Sequence, residues 1–188
     1  MEAFSDAVIA IVITIMVLEM RVPHGVEWSV LAPILPVFLS YVLSFVHLGI
    51  YWHNHHHLLH ACHKVDGRVL WANTHLLFWL SLIPFVTGWM GENHFARHTV
   101  ALYGVILLMS AIAYYILTLT LIGRHGRDSA IARALGYDVK GKVSVIIYLL
   151  AIPLALVSSW IGGLLYVAVA VMWLVPDRRI EDVLVKGA

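Results

Sequence analysis

The chain has 188 residues, of which 61% are hydrophobic and only 12% are charged. Because soluble domains carry roughly 25% charged residues, this composition excludes a soluble globular protein and indicates an integral membrane protein. A formal net charge of +1 gives no reason to expect nucleic acid as a partner, and the single Cys62 excludes an intramolecular disulfide.

Apolar runs recur along the chain, most of them near the roughly 17–25 residues that a helix needs to cross the hydrocarbon core. They predict an all-α membrane protein with six transmembrane helices in a single domain over residues 1–188. The predicted helices cover residues 4–20, 29–60, 70–90, 99–122, 143–158 and 160–176. Pro84 lies inside the third of these helices, where a kink is expected.

The basic residues orient this bundle, because Lys and Arg in short loops are retained on the cytoplasmic side. If the amino terminus is cytoplasmic, ten of the 12 Lys and Arg residues lie on the inner side, and only Arg21 and Arg97 lie outside. We therefore predict a multi-pass protein of the cell inner (plasma) membrane with both termini in the cytoplasm. The first stretch lacks a basic leader and a small-residue cleavage site, which favours a retained helix over a cleaved signal peptide.

The first predicted helix carries an apolar stripe. Ile11, Ile15 and Leu18 recur at i, i+4 and i+7, and Thr14 lies beside them. Such a stripe is typical of a packing face. If the helix were repeated around a symmetry axis, however, the same side chains could form a hydrophobic constriction, which is one way to build a channel gate.

Polar residues interrupt the apolar pattern at one end of two predicted helices. Ser5 and Asp6 open the first helix, and Asn73 and His75 lie near the inner end of the third, at the same expected depth. Lipid offers no hydrogen-bond partners, so polar groups at one depth on neighbouring helices are expected to bond one another. A buried network that fixes helix register and a contact with a transported species are both compatible with this pattern.

Histidines crowd the end of the second predicted helix. His53, His56, His57 and His60 follow helical spacings and share one face. Imidazoles at i and i+4 can share a divalent metal, which makes these four residues candidate metal ligands. Three interpretations remain open: hydrogen bonding at the membrane surface or at subunit contacts, a structural or regulatory metal site, and a proton relay or pH sensor.

The first helix also carries a family resemblance. Phe4-Ser5-Asp6, followed by Ala-Val-Ile-Ala-Ile-Val-Ile-Thr-Ile-Met-Val-Leu-Glu, resembles the first-helix signature of the transmembrane protein 175 family of potassium channels. Other parts of the chain look like a bacterial member of that family. These parts are Ser44-Phe45, Tyr51-Trp52-His53-Asn54-His55-His56, and Asn73 together with Leu82-Ile83-Pro84-Phe85.

The resemblance implies a homotetramer of six-helix subunits whose first helices line a central pore. The hydrophobic constriction of the family maps onto Ile11, and Ile15 and Leu18 continue the stripe that faces the pore. Thr14 matches a threonine that is linked to selectivity. Family members lack the Thr-Val-Gly-Tyr-Gly filter loop, and this chain lacks it too.

The resemblance further implies an anchoring network around the first helix. Ser5 and Asp6, next to Phe4, match residues that tie the pore helix to its neighbours. The expected partners of these residues are Trp52, His53 and Asn73.

We therefore predict a potassium-selective or potassium-permeable channel, not an enzyme, that needs no cofactor. Its partners are other copies of itself, the lipid bilayer and monovalent cations. The alternative function is a divalent-metal transporter or sensor that uses the face from His53 to His63. A membrane enzyme with a histidine-bound metal would need several histidine motifs on different segments, whereas one segment here holds nearly all of them.

Overall fold

The computed structural model of the chain describes residues 1–60, 62, 65–125 and 138–174. The helices in chain order are α1 (Glu2–Leu18), a 3-10 helix (Trp28–Ile34), α2 (Leu35–His60), α3 (Gly67–Ser81), α4 (Ile83–Glu92), α5 (Arg97–His125), α6 (Val139–Val157) and α7 (Ser159–Leu174). Of the predicted features, His63 and the last two residues of the predicted helix 160–176 lie outside the described residues.

Four of the described segments are long and apolar enough to cross a membrane, judged by length and composition. They are Trp28–His60, Gly67–Glu92, Arg97–Arg124 and Val139–Val157. The apolar helices α1 and α7 are shorter, with 17 and 16 residues. When the 3-10 helix is counted with α2, and α3 with α4, the described residues form six helical segments. The chain is an all-α membrane protein, and the crossing of the bilayer by all six segments remains a prediction.

The stretch predicted as one helix over residues 70–90 contains two α-helices. α3 ends at Ser81 and α4 begins at Ile83, with Pro84 in the first turn of α4. Proline has no backbone N–H, but the first turn of a helix needs no such donor, so Pro84 is tolerated there and not within a continuous helix. The expected disturbance at Pro84 therefore takes the form of a helix break two residues before it.

α5 is the central helix of the bundle. It packs against α3, α4, α6 and α7, and its side chains Tyr103, Leu107 and Leu117 are fully buried. α1 packs instead against α2, α3 and α4. This arrangement leaves α1 on the opposite side of α3 and α4 from α6 and α7, so one of its faces is not covered by its own subunit.

Buried hydroxyl groups connect the middle of the bundle. Ser44 Oγ on α2 lies 2.6 Å from Thr87 Oγ1 on α4 and donates to the Tyr103 hydroxyl on α5 at 3.1 Å. In lipid, a hydroxyl group without a protein partner is costly, so such bonds fix the register of neighbouring helices. The three helices are thus held together by direct side-chain contacts.

Candidate functional site

α1 has two chemically different faces. Its buried face consists of Ser5, Ile9, Val12 and Met16, which are between 0% and 4% exposed and follow each other at intervals of three or four residues. These residues face α2, α3 and α4, because α1 packs against those helices. The side of α1 that points into its own subunit is therefore polar only at the amino-terminal end.

The opposite face of α1 carries the predicted pore and gate residues. Ile11 is 56% exposed, Ile15 is 40% exposed and Leu18 is 80% exposed, and Thr14 is exposed on the same side. The Thr14 hydroxyl donates to the Ile11 carbonyl of its own helix at 2.9 Å. Because its hydrogen is used in this way, the Thr14 hydroxyl can take part in a further hydrogen bond only as an acceptor.

A chain of hydrogen bonds joins α2, α3 and α1 at the amino-terminal end of α1. His55 Nε2 donates to Asn73 Oδ1 at 2.7 Å, and Asn73 Nδ2 donates to Ser5 Oγ at 2.9 Å. The Ser5 hydroxyl in turn donates to the Met1 carbonyl at 3.2 Å. His55, Asn73 and Ser5 are all buried, so the three helices depend on one another for polar partners.

A second, more exposed contact lies one turn away. Trp52 Nε1 donates to Asp6 Oδ1 at 3.0 Å. Phe4, by contrast, is 63% exposed and points away from the subunit. Four of the residues predicted to anchor the first helix therefore form hydrogen bonds between α1 and its neighbours. Ser5 bonds Asn73 on α3, and Asp6 bonds Trp52 on α2.

His53, which was also expected in this network, lies elsewhere. It is exposed, and its ring lies edge-on to the ring of His57, with centroids 4.4 Å apart. The histidine that bonds Asn73 is His55, which was not among the predicted partners of the first helix. Helical spacing favours His55 over His53 as the partner, because His55 follows Leu48 by seven residues and so shares the buried face of α2, whereas His53 lies on the other side.

The predicted metal-binding histidines follow one another along α2. Besides the pair formed by His53 and His57, the rings of His56 and His60 are stacked with centroids 5.9 Å apart. A different group is closer together: one ligand atom from each of Glu2, Asp6 and His56 lies within 4.8 Å of the others, and no other such group of three occurs among the described residues. His56 Nδ1 is 3.1 Å from Glu2 Oε1, a contact that becomes an ion pair when the imidazole is protonated.

These features define a class of protein. The chain is a helical membrane bundle whose first helix is held by polar bonds at one end and exposes an apolar stripe along its length. The fold is that of an all-α membrane protein in which one helix keeps an exposed apolar face.

Comparison with known proteins identifies the family. The profile of the family described as endosomal/lysosomal potassium channel TMEM175 matches residues 1–84. A protein named potassium channel from Chryseobacterium sp. (strain P1-3) is 52% identical over 181 residues, which cover 96% of this chain and 94% of that relative. The chain belongs to the TMEM175 family of potassium channels, which confirms the resemblance noted in its sequence and the expectation that it is not an enzyme.

More distant relatives agree with this assignment. A protein named potassium channel from Streptomyces collinus (strain DSM 40733 / Tue 365) is 31% identical over 121 residues, or 60% of this chain and 59% of that relative. The crystal structure of a lysosomal potassium-selective channel TMEM175 homolog from Chamaesiphon minutus matches with a TM-score of 0.74 and 27% identity. That match covers 92% of this chain and 94% of the other, so the two folds correspond over nearly their whole length.

Proposed function

We propose that the chain conducts potassium ions through a pore lined by α1 from several subunits, with a hydrophobic constriction formed by Ile11, Ile15 and Leu18. The observation that carries this proposal is the exposure of these three side chains on a helix whose other face is buried in its own subunit. The family and the relatives named potassium channels support potassium as the permeant ion.

A ring of such side chains can act as a gate because it excludes water. When the ring is narrow, its apolar walls offer no hydrogen bonds, so the passage dries and an ion would have to shed its hydration shell to enter. A small rotation or dilation of the helices re-wets the passage. Potassium releases its hydration shell more easily than sodium, so a weakly coordinating passage beside the Thr14 oxygen favours potassium.

The attachment of α1 suits a helix that moves. Among the described residues, the side-chain hydrogen bonds between α1 and other helices involve its first turns, through Ser5 and Asp6. Farther along, the buried face consists of Ile9, Val12 and Met16, and apolar contacts between helices have no directional requirement. The amino-terminal end of α1 is therefore a fixed point from which the rest of the helix can tilt.

We further propose that the assembly is a homotetramer in the bacterial inner membrane, with both termini in the cytoplasm. The distribution of ten of the 12 Lys and Arg residues supports this orientation. The mass of the purified particle tests the assembly, and the expected protein mass is four times the 21.0 kDa of the chain. A particle with the mass of a single chain would exclude a pore between subunits.

Ion flux from liposomes that contain the purified protein tests the function. We expect a faster efflux of potassium than of sodium under matched gradients, and equal rates would contradict selectivity. The flux should persist after chelation of divalent metals. A flux that stops on chelation, together with His-dependent metal binding, would instead favour the divalent-metal function.

The Ile11→Asn variant tests the constriction. An Ile side chain contributes roughly 1.5–3 kcal/mol of apolar transfer free energy, and each 1.4 kcal/mol corresponds to a tenfold change. We therefore expect the resting potassium leak to increase by about tenfold or more. Ile116→Asn on α5, where the side chain is 39% exposed, is the matched control and should leave the leak unchanged. An equal response of both variants would remove Ile11 from the gate.

A further inference from the structure

Three side chains of the kind that bind metal ions meet where the first turns of α1 pack against the last turns of α2. One ligand atom from each of Glu2, Asp6 and His56 lies within 4.8 Å of the other two. Glu2 and Asp6 are four residues apart on α1, so both carboxylates lie on the same side of that helix. The group is built by the packing of two helices and shares only His56 with the histidine face predicted along α2.

The two carboxylates of this group lack a permanent cation. Between described residues, the acid–base contacts within ion-pair distance are those of His56 with Glu2 and of Arg124 with Asp66. His56 Nδ1 lies 3.1 Å from Glu2 Oε1, yet it has no hydrogen-bond partner among the described residues. A ring nitrogen and a carboxylate oxygen at such a distance attract each other strongly only when a proton or a metal ion is bound between them. The group therefore offers two negative charges and an imidazole to a cation.

Trp52 holds two of the three side chains in place. Its Nε1 donates to Asp6 Oδ1 at 3.0 Å, and its ring stacks on the His56 ring with centroids 5.8 Å apart. Contacts of this kind, which orient ligands from behind, are a regular part of metal sites. The Glu2 side chain is 40% exposed and that of His56 is 41% exposed. An ion can therefore enter from solution when the flexible Glu2 side chain rotates.

We propose that Glu2, Asp6 and His56 bind a divalent transition-metal ion of the zinc type, which joins α1 to α2. One imidazole with carboxylate oxygens suits Zn²⁺, whereas Ca²⁺ requires roughly six to eight oxygen ligands. Ligand atoms around a tetrahedral zinc ion are roughly 3.4 Å apart, so a modest closure of the group completes the site. Water fills the remaining position. The ion is bound and not transported, so the proposal does not depend on whether α1 lines a pore.

Zinc binding to the purified, detergent-solubilised protein tests the proposal. The affinity tag is removed and bound metals are stripped with a chelator before titration calorimetry. The chain has 12 histidines, so the measurement concerns the tightest class of sites, for which we expect one ion per subunit. At a free zinc concentration of about 100 times Kd, the melting temperature should rise by about 5–10 °C. The same concentration of Mg²⁺ should leave it unchanged.

Single substitutions assign the ligands. Glu2→Gln, Asp6→Asn and His56→Gln each remove one ligand and nearly preserve the side-chain volume, and the Asn can still accept from Trp52. Each should weaken the tight class by about 10- to 100-fold or more. His60→Gln is the matched control, because His60 is an exposed residue of the same helix whose ring stacks on His56. It should change the affinity by no more than about twofold.

Three results would overturn the proposal. The first is the absence of a tight class of zinc sites in well-folded protein, which would leave a proton as the only cation of the group. The second is a tight class that survives Glu2→Gln, a change in the partly exposed first turn of α1 that tests the site even if the Asp6 variant does not fold. The third is an equal loss with His60→Gln, which would assign the ion to the histidine face of α2. Binding is measured without ion flux, so its failure is distinct from a failure of the proposed channel function.

Discussion

The bonds of Asn73 lead to a prediction about how α1 is fastened. Asn73 lies on α3 and joins His55 on α2 to Ser5 on α1 through two buried hydrogen bonds. Asn73→Ala removes both bonds without adding volume. His55 then has no partner for either ring nitrogen within the described structure, because its Nδ1 is already unpaired there.

The expected loss of stability follows from these two bonds. A buried polar group left without a partner costs about 1–3 kcal/mol in soluble proteins, whereas hydrogen bonds between membrane helices average about 0.6 kcal/mol. Two lost bonds therefore lower the free energy of unfolding by about 1–4 kcal/mol. For a chain of this length, a loss near 2 kcal/mol corresponds to a decrease in the melting temperature of about 4–8 °C.

Thermal unfolding of the detergent-solubilised protein, followed by tryptophan fluorescence, measures this loss. Asn93→Ala is the matched control, since Asn93 is exposed at the end of α4 and its side-chain amide donates to the nearby Trp89 carbonyl. We expect a decrease of less than about 2 °C for this control. If Asn73→Ala lowers the melting temperature no more than Asn93→Ala does, the network does not fasten α1.

A double-mutant cycle sharpens the test. His55→Phe alone should also be destabilising, because it leaves the Asn73 carbonyl oxygen unpaired. The cycle compares His55→Phe, Asn73→Leu and the variant that carries both substitutions. In the double variant no unpaired polar pair remains, and such replacements can be nearly neutral. We expect the double variant to be more stable than the sum of the single effects by about 0.5–3 kcal/mol. Strict additivity would mean that the two side chains act independently.

Two further predictions concern packing and thiol chemistry. A Cβ atom on Gly91 would lie 2.6 Å from the Val37 Cα, whereas one on Gly88 would meet nothing nearer than 3.6 Å. Gly91→Ala should therefore lower the free energy of unfolding by about 1–3 kcal/mol, and Gly88→Ala should leave it unchanged or slightly higher. Equal melting temperatures of the two variants would contradict the close approach of α4 to α2. Burial raises the pKa of the Cys62 thiol to about 11. Alkylation of this thiol by iodoacetamide, followed by mass spectrometry, should therefore accelerate roughly tenfold per pH unit up to that pKa. A rate that levels off near pH 9 would contradict the raised pKa of this thiol.

The sequence by itself determined the class of the protein and the character of its first helix. Membrane helices are encoded locally, since about 20 consecutive apolar residues satisfy their backbone hydrogen bonds within the helix and place apolar side chains in the lipid. The stripe of Ile11, Ile15 and Leu18 follows from helical periodicity alone. The polar residues Ser5 and Asn73 were also matched correctly by depth, because topology places their helix ends at the same level.

Only the tertiary structure decided which side chains meet across helices. His53 and His55 are two residues apart, which corresponds to about 200° around a helix, and the packing of α2 against α3 turns His55 towards Asn73. The same holds for His56, which approaches Glu2 on another helix and not merely its neighbours along α2. A cavity of about 480 Å³ between α2, α5, α6 and α7, whose wall includes His47, has no signal in any single segment, since it arises from the spacing of four helices. Rotation and register between helices depend on packing over the whole bundle, and no local pattern of residues specifies them.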